Sequence, residues 1–323
     1  MRILITGCAG FIGYHLSSKI LKESNHVLHG IDNLNNYYDL DLKKKRIKLL
    51  KNLKKKFIFS KIDIYNESKI DNLFKLKKFD CVINLAAQAG VRYSINNPKE
   101  YFNSNIKGFF NIIYSSQKYK IKHLIFASTS SVYGNQKKFP INEDANTNNP
   151  LSFYAASKKS NEVMAYSFSN IYNLPTTCLR FFTVYGPWGR PDMALYKFVD
   201  KAYKNQQIEL FNNGNHIRDF TYIDDVTNYI FNLINKSPKN KIPYQTFNIG
   251  SNNPKSLKFF LSIIEKNINK KIKVNKKNMQ IGDVYKTHAD NTKLISLLNK
   301  KFYTSIDIGI KRFIDWYLNH YKK

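Results

Sequence analysis

Short apolar runs alternate with longer amphipathic stretches through the first half of the chain. Arg2–Thr6, His26–Ile31, Lys56–Ile62, Cys81–Leu85, His123–Ser128 and Thr176–Phe181 read as short strands rich in Ile, Leu, Val and Phe. Near-continuous apolar runs of this kind suit strands buried on both faces. Phe11–Lys22, Pro98–Tyr119 and Phe153–Tyr172 carry apolar residues at helical spacing instead. The alternation predicts βαβ units and an α/β fold with a doubly wound parallel sheet. After Tyr185 the rhythm breaks, and Gly, Pro and Asn punctuate a looser region with helices expected at Asp224–Asn235, Ser256–Ile268 and Ile306–Tyr321. A short strand at Thr246–Ile249 is expected to rejoin the main sheet. The chain therefore divides into a nucleotide-binding domain over 1–182, to which segments near 219–250 return, and a smaller C-terminal substrate-binding cap over 183–323.

Composition narrows the class. A chain of 323 residues at 43% hydrophobic can bury a full core. No charged leader with an apolar core precedes the first strand, and no run of 18 apolar residues occurs, so a cytoplasmic protein with no membrane partner is expected. Cys8, Cys81 and Cys178 have no CxxC partner, which supports neither a disulfide framework nor a metal site. The formal charge of +29 invites a nucleic-acid reading. However, only seven of the 52 basic residues are arginine, and Asn, Ile, Lys, Tyr and Phe are all abundant. Those residues have AT-rich codons, so genome composition accounts for the charge, and no specific nucleic-acid partner is expected. The densest basic stretch, Leu42 to Lys56, spaces Leu42, Ile47, Leu50 and Leu53 as a surface helix with a solvated lysine face. Scarcity makes the arginines informative: Arg92, Arg180, Arg190 and Arg218 all fall in the motifs below.

The first strand ends in Gly7-Cys8-Ala9-Gly10-Phe11-Ile12-Gly13, and a helix follows at once. Glycines at this spacing permit a sharp turn, close approach of backbone to a pyrophosphate, and tight helix–strand packing. The helix N-terminus supplies free N–H groups for the anion. Asp32 lies nineteen residues beyond Gly13, at the end of the second strand. A carboxylate there accepts bonds from ribose hydroxyls and repels a 2′-phosphate; Asn33 follows it, with no adjacent arginine, so NAD is favoured over NADP. Asp63 and Ile64 after the third strand, and Leu85, Ala86 and Ala87 after the fourth, complete the expected cofactor set. Asp63 serves equally well as a strand-end cap.

Tyr154-Ala-Ala-Ser-Lys158 places a phenol and an amine one helical turn apart. A phenol titrating near 10 is a poor base at neutral pH, and a fixed ammonium together with a positive nicotinamide would favour its phenolate. Tyr154 and Lys158 thus belong to both the catalytic and the cofactor sets. The strand end Ser128-Thr129-Ser130-Ser131 adds hydroxyls where parallel sheets bind ligands. Thr129 and Ser130 join the catalytic set, which suits proton relay during oxidation of an alcohol.

These motifs resemble the extended short-chain dehydrogenase/reductase superfamily. Leu85–Ser94 (LAAQAGVRYS), Arg180–Met193 (RFFTVYGPWGRPDM), Arg218–Asp225 (RDFTYIDD) and Gly282-Asp283-Val284 narrow the resemblance, over essentially the whole chain, to UDP-glucuronate 4-epimerases within the NAD-dependent epimerase family. The resemblance implies a Rossmann-type sheet, tightly held NAD and a UDP-sugar substrate. It also implies a homodimer in which helices around Pro98–Tyr119 and Phe153–Tyr172 form a four-helix bundle. Arg190 and Arg218 are expected on the UDP pyrophosphate, Asp283 on the uridine ribose, and Arg92 facing the sugar or phosphate. Neutral-sugar relatives often carry an arginine before the Gly-Asp of the last motif; Met279-Gln280-Ile281 stands there, leaving that load to Arg190.

Several alternatives stay open. Related 4,6-dehydratases place Asp-Glu after the threonine, and UDP-glucuronate decarboxylases place Glu before Val-Tyr-Gly; Ser130 and Ser131 occupy those positions. UDP-glucose and UDP-N-acetylglucosamine 4-epimerases share the same machinery. Thr183, in place of the asparagine common in neutral-sugar enzymes, joins Thr129, Ser130 and Ser131 as hydroxyl donors for a C6 carboxylate. A non-catalytic NAD-binding regulator and a basic RNA-binding protein are readings from other classes, and the intact Tyr154/Lys158 pair weighs against both.

Overall fold

The computed structural model describes residues 1–53, 56–280 and 282–321. Seven parallel strands form the central sheet: β1 (Arg2–Thr6), β2 (Val27–Asp32), β3 (Phe57–Lys61), β4 (Cys81–Asn84), β5 (His123–Thr129), β6 (Thr176–Phe181) and β7 (Tyr244–Ile249). Their spatial order is β7-β6-β5-β4-β1-β2-β3. The chain thus starts mid-sheet and reverses direction beside β1, which opens a crevice at the strand C-termini.

Helices cover both faces. On one side α1 (Phe11–Glu23), α2 (Leu40–Asn52) and α7 (Ile223–Leu233) enclose Ile3, Ile5, Leu16, Val226 and Ile230, all fully buried. On the other, α3 (Glu67–Lys77), α4 (Gly108–Lys118) and α5 (Phe153–Tyr172) cover Leu4, Val82, Ile112 and Phe126. The ends of α5 are set locally. The Ser152 hydroxyl accepts from the Ala155 N–H at 3.2 Å, and Asn173 turns left-handed (φ 53°) to stop the helix.

The helix expected over Pro98–Tyr119 is interrupted. Pro98–Tyr101 is α-helical, Phe102–Lys107 winds as a π-turn, and α4 resumes at Gly108. The wide turn coincides with a buried polar demand. Asn105 accepts from the Gln88 N–H at 2.8 Å and donates to the Gln88 carbonyl at 3.0 Å and the Ser157 hydroxyl at 2.9 Å. Apolar periodicity carries no trace of that requirement.

The cap contains α6 (Ala194–Tyr203), α8 (Leu257–Ile268) and α9 (Ile306–Tyr321), with an aromatic core in which Phe220 stacks on Phe260 at 4.1 Å. Three short strand pairs tie it together: Ile208–Phe211 with Val274–Lys277, Ile217–Arg218 with Lys255–Ser256, and Thr183–Tyr185 with Phe220–Tyr222. Leu294 and Leu298 of the helix Thr292–Leu298 pack in the same core as Val226, Ile230 and Ile249.

The basic helix departs from a purely solvated lysine face. Lys43 is 5% exposed and Arg46 fully buried, because α2 turns both inward, Arg46 onto Ala9 of the glycine turn and Lys43 onto Asn35. Lys54 and Lys55, from the end of the predicted stretch, lie outside the described residues. Cys8, Cys81 and Cys178 are buried free thiols, and among the described residues no helix is long and apolar enough to cross a membrane.

Candidate active site

A cleft of about 1060 Å³ runs between the strand C-termini and the cap. Its lining brings together every site residue expected from the sequence: the glycine loop, Asp32, Asn33, Asp63, Ile64, Leu85–Ala87, Arg92, Thr129–Ser131, Tyr154, Lys158, Thr183, Arg190, Arg218 and Asp283. Arg180 alone among the motif arginines is absent from the lining.

The sheet end of the cleft is shaped for a dinucleotide. Gly7 has φ +70°, and a Cβ there would sit 2.8 Å from the Ala86 nitrogen. A Cβ on Gly13 would overlap the Gly7 carbonyl. Only glycine fits either place. Gly10 caps α1 with no side-chain bond, which leaves the first N–H groups of the helix facing the cleft. The Asp32 carboxylate accepts from the Ala9 N–H at 3.1 Å and the Leu34 N–H at 2.8 Å. Burial raises its pKa, with the Leu34 N–H, Lys43, the Ala9 N–H and Arg46 opposing. Its remaining lone pairs suit ribose hydroxyls. Asn33 donates to Asp63 at 2.9 Å, and Asp63 also accepts from the Tyr65 N–H at 3.0 Å, so this carboxylate caps its own turn while lining the cleft.

Tyr154, Lys158 and Thr129 meet at the middle. Lys158 donates to the Ala127 carbonyl at 3.0 Å, and burial lowers its ammonium to about 8. Burial raises the Tyr154 phenol, against which the Thr129 hydroxyl and the Arg190 charge act. The Arg190 charge thus favours the phenolate, while Lys158 donates to the β5 backbone. Thr129 accepts from the Ser131 N–H at 3.2 Å and donates to the Ser131 hydroxyl at 3.3 Å, ordering the strand-end hydroxyls. Behind them Arg180 meets Glu162 at 2.9 and 2.8 Å, and Ser128 donates to Glu162 at 2.6 Å. That buried cluster ties α5 to β5 and β6.

The cap end holds the cations. Arg190 is paired with Asp192 at 3.0 and 2.5 Å, 5.8 Å from the Tyr37 ring. Arg218 donates to the carbonyls of Ile217 at 3.1 Å and Tyr285 at 3.0 Å. Burial lowers its guanidinium to about 10, with Asp283 raising it and Arg92 lowering it. Arg92 crosses the cleft to Asp283 at 3.2 Å and lies 4.6 Å from the Phe211 ring, so its side chain faces the cap residues.

Sequence reasoning missed Tyr37, Lys43, Gln88, Asp192, Phe211 and His216, which also line the cleft. It also missed Arg46, which sits four residues from both Leu42 and Leu50 and thus on the apolar side of α2. That spacing, with arginine scarcity, was the available signal.

The sequence model of the NAD dependent epimerase/dehydratase family matches residues 3–250. The chain belongs to this family. Among its relatives in the epimerase/dehydratase family, Protein CapI of Staphylococcus aureus is 46% identical over 337 residues, covering 100% of both chains. A UDP-glucuronate 4-epimerase of Thermodesulfobacterium geofontis is 41% identical, covering 97% of this chain and 95% of its own. The crystal structure of UDP-glucuronic acid 4-epimerase from Bacillus cereus, in complex with UDP-glucuronic acid and NAD, superposes with TM-score 0.93 at 33% identity, covering 99% and 100% of the two chains.

Proposed function

We propose that this protein inverts C4 of UDP-glucuronate to give UDP-galacturonate through a 4-keto intermediate, using tightly held NAD. The observation that carries the reading is the set of neutral hydroxyls, Thr129, Ser130, Ser131 and Thr183, lining the cleft beside Tyr154 and Lys158. The similarity to UDP-glucuronate 4-epimerases over the full chain supports it.

Gly7, Gly10, Gly13, Asp32 and Lys158 would hold the dinucleotide, which supplies the redox chemistry by taking a hydride from C4 and returning it to the opposite face. Tyr154 takes the C4 hydroxyl proton and gives it back, with Thr129 and Ser130 positioned to relay it. Lys158 and Arg190 provide positive charge around the phenol. Arg190 and Arg218 grip the pyrophosphate with charge-assisted bonds, and Asp283 accepts from the ribose. That grip must leave the sugar free to rotate.

A ketone at C4 lies β to the C6 carboxylate, and such an acid loses carbon dioxide when the C5–C6 bond aligns with the carbonyl π system. Neutral donors at Thr129, Ser130, Ser131 and Thr183 fix the carboxylate out of that alignment and place no charged group beside it. This favours epimerisation over decarboxylation.

We further infer a homodimer. Phe110 (43% exposed) and Tyr114 (45%) on α4, with Val163 (58%) and Tyr166 (49%) on α5, leave apolar surface on two neighbouring helices that a second copy would cover. A cytoplasmic setting is inferred with it, consistent with three unpaired buried thiols.

Incubating purified protein separately with UDP-glucuronate, UDP-glucose and UDP-N-acetylglucosamine, and resolving products by NMR, tests the substrate. UDP-galacturonate with little pentose is expected. Preference for a neutral UDP-hexose, or mainly UDP-xylose from UDP-glucuronate, defeats the uronate assignment. A monomer by light scattering defeats the dimer.

A further inference from the structure

Arg46 is fully buried, yet among the described residues no carboxylate is one of its hydrogen-bond acceptors. One terminal nitrogen donates to the Ala9 carbonyl and the Tyr38 hydroxyl, both at 2.8 Å. The other donates to the carbonyls of Trp188 at 2.5 Å and Gly189 at 3.3 Å. Ala9 lies inside the glycine-rich turn, and Gly189 immediately precedes Arg190 in the cap. One guanidinium therefore spans the two halves of the cleft.

The cap loop it holds is strained. Trp188 has φ +57°, a left-handed conformation that a bulky side chain rarely adopts. Its ring is held against Tyr14 of α1 at 5.7 Å and Trp316 of α9 at 5.3 Å, and His15 donates to the preceding Pro187 carbonyl at 2.9 Å. Over-determination of this kind fixes where the next two residues point. Arg190 then emerges into the cleft paired with Asp192, while the Arg46 charge is also felt by Asp32.

We propose that Arg46 is a positioning residue that couples the dinucleotide half of the cleft to the phosphate-gripping half. By fixing the Ala9 carbonyl and the Trp188–Gly189 carbonyls on one rigid fork, it makes ordering of either loop favour ordering of the other. NAD retention and UDP binding then strengthen each other, as two ligands sharing one ordered element must. A lysine carries its three N–H donors on a single nitrogen and cannot span both carbonyl sets as the two-nitrogen fork does. The proposal rests on the cleft taking NAD and a UDP-sugar, and it is independent of which sugar is turned over.

The test uses holoenzyme diluted into buffer with and without saturating UDP, following NAD release by chromatography, together with steady-state kinetics. In wild type, UDP should slow NAD release by about tenfold, a typical coupling between sites. In Arg46→Met the UDP effect should shrink to less than about twofold, while KM for the sugar nucleotide rises about tenfold and kcat stays within about threefold. Arg46→Lys should fall between, and it decides the same quantity if Arg46→Met does not fold. Wild-type UDP dependence of NAD release in Arg46→Met, or in Arg46→Lys if that is the variant that folds, would overturn the proposal. So would a wild type that binds UDP and NAD with no mutual effect. Failure of the UDP-sugar reading itself is distinguishable, because wild type would then not bind UDP at all.

Discussion

Replacing Glu162 removes half of a buried ion pair that anchors α5, the helix carrying Tyr154 and Lys158. Its carboxylate is 3% exposed, receives both Arg180 bonds and the Ser128 hydroxyl, and leaves Arg180 itself only 7% exposed. In Glu162→Gln the guanidinium keeps Tyr133 at 3.0 Å and the Glu143 carbonyl at 2.7 Å but loses its counter-charge. Stranding one member of such a pair costs about 3–5 kcal/mol. At about 1.5 °C per kcal/mol for a chain of 323 residues, Tm should fall by about 4–7 °C. Removing both partners in Glu162→Met/Arg180→Met leaves no stranded charge, so the double variant should be more stable than the sum of the single losses predicts, by about 2 kcal/mol or more. The pH dependence has a definite sign. Burial alone would raise the Glu162 carboxyl, but the hydrogen bonds and charge of Arg180, with Ser128 and Lys159, hold it below its ordinary value of 4.5. A carboxyl depressed on folding adds stability above its unfolded pKa and loses it as pH falls through the folded one. The gap between wild type and Glu162→Gln should therefore be flat from about pH 6 to 8 and shrink below about pH 4.5. Urea unfolding of the holoprotein, followed by circular dichroism across that range, measures each quantity. A loss under about 1 kcal/mol in Glu162→Gln, or singles that simply add in the double variant, would refute the reasoning.

Tyr154→Phe should lower kcat at least about a hundredfold with Tm and UDP-sugar binding little changed, the reverse of the Glu162 pattern; near-normal turnover would name another base. Asp32→Ala should release NAD that wild type retains through gel filtration, measured on denatured protein; recovery of NADP from wild type would contradict the role given to this carboxylate. Arg190→Ala and Arg218→Ala should each raise the UDP-sugar KM about ten- to a hundredfold, since a bond to a charged group contributes about 1.5–3 kcal/mol; unchanged KM would take them off the phosphates. Thr183→Ala should raise the UDP-pentose fraction from UDP-glucuronate, read by NMR; an unaltered product ratio would remove Thr183 from control of the carboxylate.

The strand, glycine turn and helices that line the cleft were legible because their signals are local. A strand, a glycine turn and a helix start occupy Arg2–Gly13 in sequence, and the left-handed φ at Gly7 is a demand that a single residue type answers. Tyr154 and Lys158 share a face because a helix repeats every 3.6 residues, whatever surrounds it. Scarcity of arginine drew notice to Arg190 and Arg218 for the same reason: identity alone carried the information. The sequence could not state what happens across the cleft. That Arg92 lies over Phe211, that Arg180 serves Glu162 behind the sheet, and that the helix through Asn105 widens where it meets Gln88 all depend on partners well outside the local window, 17 and 18 residues away in two cases and far beyond in the third. Arg46 shows the division most plainly. Its spacing from Leu42 and Leu50 put it on the buried side of α2, but its acceptors at Ala9 and Trp188 exist only once the cap has closed on the glycine turn. Backbone conformation and periodicity are fixed by neighbours along the chain, whereas the pairing of buried charges is fixed by which distant carbonyls and carboxylates the packed fold brings within hydrogen-bond reach.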